Sequence, residues 1–196
     1  GIERIYVPAS VYEAFVQAFV AVTQQYQLGN PTDANTNLGP MVRRSAADFV
    51  RAQIAEAVAQ GAKSLVDEAA FPASKVGTAY LSPHLLVDVN HDLRVMREES
   101  FGPVVGIMAV QDDDEAIRLM NDSDFGLTAS IWTQDAIVAE ALAGKIATGT
   151  VFMNRCDYLD PALAWTGVKD TGHGISLSEL GYAQLTRVKS YHLRVA

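Results

Sequence analysis

An α/β fold, a mostly parallel sheet flanked by helices, is the architecture this 196-residue chain predicts. Three observations carry the expectation. Between Val104 and Met153, apolar runs and short amphipathic segments alternate as strand, helix, strand, helix, strand, the order that builds parallel sheets through right-handed crossovers. Upstream, two longer segments have apolar residues at helical period. Hydrophobic residues make up 49% of the chain, and a chain of this size buries roughly 70% of the surface its unfolded form exposes.

In chain order, Glu3 to Val7 reads as a strand that Pro8 ends. A helix follows: Tyr12, Phe15, Val16, Phe19 and Val20 form one apolar stripe, and Ser10 and Glu13 have capping-box spacing. Leu28 to Pro40 carries turn residues, with Asn30-Pro31 and Gly39-Pro40 as turns of a long loop. A second helix fits Arg43 to Gln60, with Phe49, Ile54 and Val58 inward and Gly61 as its stop. Lys63 to Val66 is a short strand, Asp67 to Thr78 a loop, and Leu81 to Val87 another strand containing His84, read as structural. Val104 to Val110 is then a strand, Asp113 to Asn121 a helix with Asp112 as N-cap, and Leu127 to Trp132 a strand. Ala136 to Ala143 is a helix and Thr150 to Met153 a strand. Residues 1–187 are expected to form one domain, and 188–196 a β-like tail in which Lys189, His192 and Arg194 mark an edge strand.

The formal net charge is -8, with Lys and Arg dispersed, a balance that repels phosphate backbones and anionic lipid surfaces. Neither nucleic acid nor membrane is an expected partner, because the apolar runs are broken long before the ~20 residues that span a bilayer. Cys156 is the single cysteine, which excludes an intrachain disulfide and fits a reducing, cytoplasmic setting. The four histidines, His84, His91, His173 and His192, lack metal-ligand spacing, so no metal is expected.

An α/β sheet invites a dinucleotide reading, but the glycine-rich fingerprint is absent. Gly172-His173-Gly174 has two of its glycines without the strand before them. Gly167 to Gly172 has phosphate-loop spacing without the Lys-Ser or Lys-Thr that should follow. Both read as turn glycines. Cys156 with His173 is conceivable as a thiol-imidazole pair, yet a lone cysteine after a buried strand reads as a small packing residue. Glu98, Glu99, Asp124, Asp157 and Asp160 show no glycosidase-like pairing.

Arg97-Glu98-Glu99-Ser100-Phe101-Gly102-Pro103-Val104 changes the picture. It resembles the Glu-Glu-x-Phe-Gly-Pro motif of the NAD(P)-dependent aldehyde dehydrogenase superfamily. The likeness is joined in order by Gly29-Asn30-Pro31, Leu38-Gly39-Pro40, Gly61-Ala62-Lys63, Phe125-Gly126-Leu127, Gly149-Thr150-Val151 and Asn154, so it covers nearly the whole chain. The resemblance implies the carboxy-terminal half of such an enzyme, of the family's catalytic-domain type. It also implies that Glu99 accepts hydrogen bonds from the nicotinamide ribose of NAD or NADP, and that Phe101 lies beside the nicotinamide ring. The residue types suit the task, because an ionised carboxylate is acceptor-only and can hold two vicinal hydroxyls. Cys156, Asp157, Tyr158, Leu159 and Trp165 become candidates for lining the aldehyde channel. Two stretches depart from the family pattern: Ala164-Trp165-Thr166-Gly167 stands where Pro-Phe-Gly-Gly is common, and Thr171-Gly172-His173-Gly174-Ile175-Ser176 where Ser-Gly-x-Gly-Arg-Glu is common.

By the same resemblance the nucleophilic cysteine falls just ahead of Gly1, with the general-base glutamate and the dinucleotide-binding domain further upstream, so residues 1–196 are expected to be inactive alone. The implied chemistry is thiolate attack on an aldehyde, hydride transfer to NAD(P)+ and hydrolysis of the thioester. The tail, residues 188–196, is implied to complete a sheet with another subunit of a homodimer or homotetramer. A non-catalytic interaction module and, more weakly, a hydrolase using Cys156 are the alternatives.

Overall fold

The computed structural model describes residues 2–156 and 158–195. The chain divides into two compact units, residues 1–112 and 113–196.

The first unit contains β1 (Arg4–Pro8), α1 (Tyr12–Thr23), α2 (Arg44–Ala59), β2 (Lys63–Ser64), β3 (His84–Val87), α3 (Arg94–Arg97) and β4 (Val104–Val110). Its sheet has the order β1-β4-β3-β2. β4 pairs in parallel with both β1 and β3, and only β2 runs antiparallel. The continuous apolar character of Val104 to Val110 has a direct cause: both sheet faces are covered. Successive residues alternate between faces. Leu86 and Val104 pack with Ala47, Val50, Ile54 and Ala57 of α2. Leu85, Val87, Val105 and Ile107 pack with Val16 of α1 on the other side, together with partly buried Tyr12, Phe19 and Val20.

Three local features differ from what the sequence predicts. The Ser10–Glu13 capping box does not form; the N-cap of α1 is Val11, without a side-chain cap bond. The turn into the helix is closed by backbone instead, Val11 N–H donating to Pro8 O at 3.0 Å and Tyr12 N–H to Ala9 O at 3.4 Å. On α2, Phe49 and Val58 are exposed and the buried positions are Ala47, Val50, Gln53, Ile54 and Ala57. Small residues let α2 lie close to its neighbours, while Phe49 stacks under the Arg94 guanidinium, 5.7 Å from its ring centre. On α1, Phe15 is exposed, at the rim of the stripe. Gly61 does end α2, with φ +109°. Ala62 N–H reaches Ala57 O and Gly61 N–H reaches Val58 O, both at 3.0 Å, the two bonds of a left-handed helix stop.

The second unit contains α4 (Asp113–Asn121), β5 (Phe125–Gly126), β6 (Thr128–Ile131), α5 (Ala136–Ala143), β7 (Thr150–Met153), β8 (Val168–Lys169) and α6 (Ser178–Leu185). β6 and β7 pair in parallel from Thr128–Thr150 to Ile131–Met153, and β5 pairs antiparallel with β8. The alternation from Val104 to Met153 therefore feeds two sheets: β4 belongs with β1 and β3, and β6 with β7. Asp135 caps α5 through bonds from Ile137 N–H and Val138 N–H, at 2.9 and 3.2 Å. Gly172 and Gly174 have φ +113° and +104°, conformations that suit turn glycines. Residues 186–195 carry no helix or strand, and Val188, Leu193 and Val195 are exposed. Among the described residues no helix is long and apolar enough to cross a membrane.

Candidate functional site

The motif Glu98 to Pro103 forms the link between α3 and β4. Its start is held by charge. Glu98 receives two bonds from Arg94, at 3.0 and 2.8 Å, and one from the buried Gln53 amide at 3.3 Å. Arg94 in turn reaches Glu56 of α2 at 2.9 Å. The Arg94 guanidinium, through those hydrogen bonds, holds the Glu98 carboxyl below its ordinary range. Solvent reaches all three charged groups and screens them, so they add little net stability; their effect is to tie α3 to α2.

The end of the motif is held by close packing. A Cβ at Gly102 would lie 2.8 Å from Val50 Cγ2 and 3.0 Å from Met41 Cε, so the backbone runs flush against the α2 layer. Pro103 O accepts from His84 N–H at 2.7 Å, fastening the motif to β3.

Between these anchors stand the two residues singled out for the cofactor. Glu99 is exposed, and Phe101 is 71% exposed with φ +50°. A left-handed conformation costs a non-glycine residue roughly 1–2 kcal/mol, and an exposed ring recovers little of that by burial. Such an outlier persists only where its surroundings determine it, and such positions cluster at functional sites. Beside Phe101 lies an open, apolar depression of about 440 Å³ walled by Leu38, Pro40, Met41 and Leu81. Two of the segments carrying the family resemblance, Leu38-Gly39-Pro40 and Phe101-Gly102-Pro103, thus meet at one place.

A separate set lies in the second unit. β7 is followed by Asn154, which has φ +54° and whose side chain acts like one more strand residue. Its Oδ1 accepts from Thr133 N–H at 3.0 Å and its Nδ2 donates to Thr133 O at 2.7 Å. The chain turns there into Arg155 to Leu159. Tyr158 and Trp165 meet around a cavity of about 190 Å³ together with Phe152, Met153 and Arg155. The Arg155 guanidinium sits 3.7 Å from the Tyr158 ring centre, a cation–π contact. Trp165 is half-buried and exchanges backbone bonds with Ser176, 2.7 and 2.9 Å long. Leu159 is exposed and outside the cavity lining. Cys156 is exposed as well, which corrects its reading as a packing residue: Asn154 has already turned the chain out of the strand. Asp157 lies outside the described residues.

Two departures from the family pattern are locally satisfied. Thr166 Oγ1 donates to Gly174 O at 2.8 Å, and a Cβ at Gly167 would lie 2.3 Å from Thr171 Cγ2. Elsewhere, His84 has Ser64 Oγ 3.1 Å from Nδ1 and Ser82 Oγ 3.2 Å from Nε2. Burial holds its pKa below the usual histidine value, with Glu68 opposing and Arg51 reinforcing the shift. It is engaged on both nitrogens, in keeping with a structural residue. Sequence reasoning missed Glu3, whose carboxylate accepts from the distant Ser100 and Phe101 amides, and Arg155, for which the visible signal was a cation three residues ahead of Tyr158.

The family model for the aldehyde dehydrogenase family matches residues 1–191. The chain belongs to the aldehyde dehydrogenase family. It is 34% identical over 190 residues, 96% of this chain and 40% of the relative, to a succinate semialdehyde dehydrogenase, named for NAD(P)+, of Escherichia coli K12. It is 37% identical over 175 residues, 89% of this chain and 35% of the relative, to a 3-sulfolactaldehyde dehydrogenase of Priestia aryabhattai. Among solved structures, an aldehyde dehydrogenase of Bacillus cereus, a point mutant, superposes with a TM-score of 0.89 at 29% identity, over 95% of this chain and 38% of that one. The Staphylococcus aureus betaine aldehyde dehydrogenase, solved in complex with NAD+, gives 0.85 at 29% identity, over 93% and 36%. The chain therefore has the α/β fold of the aldehyde dehydrogenases, and it spans 40% of the length of the Escherichia coli relative.

Proposed function

We propose that this chain is the carboxy-terminal, catalytic-domain part of an NAD(P)-dependent aldehyde dehydrogenase that oxidises an aldehyde to a carboxylic acid. Its role there is to hold the nicotinamide end of the cofactor and the mouth of the aldehyde channel. The observation that carries the reading is Phe101, an exposed ring kept in a left-handed conformation next to the exposed carboxylate of Glu99.

These residues fit the group. The Glu99 carboxylate can accept from both ribose hydroxyls, and the Phe101 ring offers a flat apolar face to a flat heterocycle. NAD or NADP, when bound, supplies the hydride acceptor. What Glu99 and Phe101 contribute is orientation, which lowers the barrier by restricting motion before reaction. Tyr158 and Trp165, with Cys156, Asp157 and Leu159 nearby in sequence, are assigned to the aldehyde channel. The nucleophilic cysteine, the general-base glutamate and the dinucleotide-binding domain are assigned to sequence other than residues 1–196. Residues 1–187 are assigned to the catalytic domain, and residues 188–196, whose described part carries no strand in the chain alone, to a segment that becomes a strand on joining another subunit's sheet in a cytoplasmic homodimer or homotetramer.

The test is Glu99→Gln and Phe101→Ala in a dehydrogenase carrying this chain. Replacing a charged acceptor by a neutral amide removes roughly 1.5–3 kcal/mol of hydrogen bonding. Single-turnover hydride transfer at saturating cofactor should slow about tenfold or more, with little change in melting temperature. Unchanged rates in both variants would refute the assignment.

A further inference from the structure

The side chains of Glu99 and Phe101 both project into solvent, so packing of those side chains does not hold them where they are. What holds them is the backbone of the link. Its two central amides have the same partner: Glu3, 97 residues upstream of Ser100, accepts from Ser100 N–H through Oε2 at 3.2 Å and from Phe101 N–H through Oε1 at 3.4 Å. Glu3 is itself fastened at its main chain, where its carbonyl accepts from Gly106 N–H at 3.4 Å, one residue before the Arg4–Gly106 register pair of β1 and β4. One residue thus grips the link between α3 and β4 by its carboxylate and the strand beyond that link by its carbonyl.

We infer that Glu3 is a positioning residue for the cofactor motif: its carboxylate, by accepting from two consecutive amides, holds Phe101 in its left-handed conformation and so aims Phe101 and Glu99 at the nicotinamide end of the cofactor. This rests on the cofactor role proposed above for those two residues. The chemistry is particular to a carboxylate. Two parallel N–H groups need two acceptor atoms, and only an ionised carboxyl offers both on one short fork. A glutamine would present an NH₂ group to one of the amides. An aspartate is one methylene short of the link. Gly102 contributes the other constraint, because its contact with Val50 and Met41 leaves the chain no room to relax toward α2.

The inference is tested first in the 196-residue chain, by amide hydrogen exchange in wild type, Glu3→Gln and Glu3→Ala. Exchange at Ser100 and Phe101 should speed by about tenfold or more in Glu3→Ala, the scale expected for losing a charged acceptor. It should speed by less in Glu3→Gln, and stay unchanged at Leu85 and Ile107 in the sheet. Equal acceleration at all four amides would mean that Glu3 only stabilises the fold, and would overturn the inference, as would no change at Ser100 and Phe101. The second arm uses a dehydrogenase carrying the chain. Glu3→Gln should slow single-turnover hydride transfer while leaving the aldehyde KM and the melting temperature near wild type, and Phe101→Ala should slow the same step. If Phe101→Ala slows transfer and Glu3→Gln does not, the positioning role is wrong while the cofactor role stands. If neither variant slows transfer, the cofactor role fails and this inference fails with it.

Discussion

Two glycines only five residues apart should respond in opposite directions to the same added methyl. At Gly149, a Cβ would sit 1.7 Å from Thr166 O, 2.5 Å from Thr166 C and 3.1 Å from the Gly167 Cα. All three are backbone atoms, so no rotamer change relieves the clash, and the loop carrying Trp165 has to move away from the start of β7. Overpacking typically costs 1–3 kcal/mol, and a backbone-on-backbone clash belongs at the top of that range, about 3 kcal/mol. For a chain of this length that lowers the melting temperature by about 6–12 °C. At Gly144, by contrast, φ is -63° and ψ -15°, and a Cβ would meet nothing closer than 3.8 Å. Gly144→Ala should stabilise by about 0.4–1 kcal/mol, because it narrows the unfolded ensemble without straining the native one. Tryptophan fluorescence is the appropriate assay: both tryptophans, Trp132 and Trp165, lie in the 113–196 unit. A Gly149→Ala chain melting within about 0.5 kcal/mol of wild type, with Trp165 emission unshifted, would refute the reasoning.

Burial depresses the His84 pKa in the folded state below its ordinary value of about 6.5. The neutral form is therefore the one that folding favours. The stabilisation is complete above that value and is lost as pH falls below it, by at most about 1.4 kcal/mol per pH unit. Urea unfolding between pH 7.5 and 5 should show this slope, and His84→Asn should reduce it. Residues 1–196 alone should give no aldehyde-dependent reduction of NAD+ or NADP+ in a spectrophotometric assay; turnover abolished by Cys156→Ser would assign the thiol the nucleophile's part instead. Deleting residues 188–196 from a dehydrogenase carrying this chain should lower its association state in sedimentation while leaving far-UV circular dichroism largely intact.

The local elements were legible where one physical signal dominated. Val104 to Val110 is apolar on both faces and is a strand covered on both; Gly61 stops α2 because only a residue without a Cβ takes its backbone conformation freely. The errors arise where tertiary packing chose against side-chain size. α2 buries Ala47 and Ala57 and leaves Phe49 and Val58 outside, because a close approach favours small residues. Sheet membership was not legible: β4 is nearer in sequence to β6 than to β1, yet pairs with β1. The site divides in the same way. The proposed cofactor residues Glu99 and Phe101 stand in a contiguous motif that a sequence displays, whereas Glu3, which grips that motif from 97 residues away, carries no local signature.

The backbone of Phe101 also bears on how this protein can change. Glycine adopts φ +50° without steric penalty, and asparagine tolerates it better than phenylalanine does. With the ring 71% exposed, its removal forfeits little buried area. Selection for thermostability alone should therefore drift position 101 toward glycine or asparagine, discarding the ring that the cofactor would use. Under the cofactor role proposed for Phe101, robustness and activity pull in opposite directions at this one residue, and a stability-improved variant altered there should be checked for lost hydride transfer before any other defect.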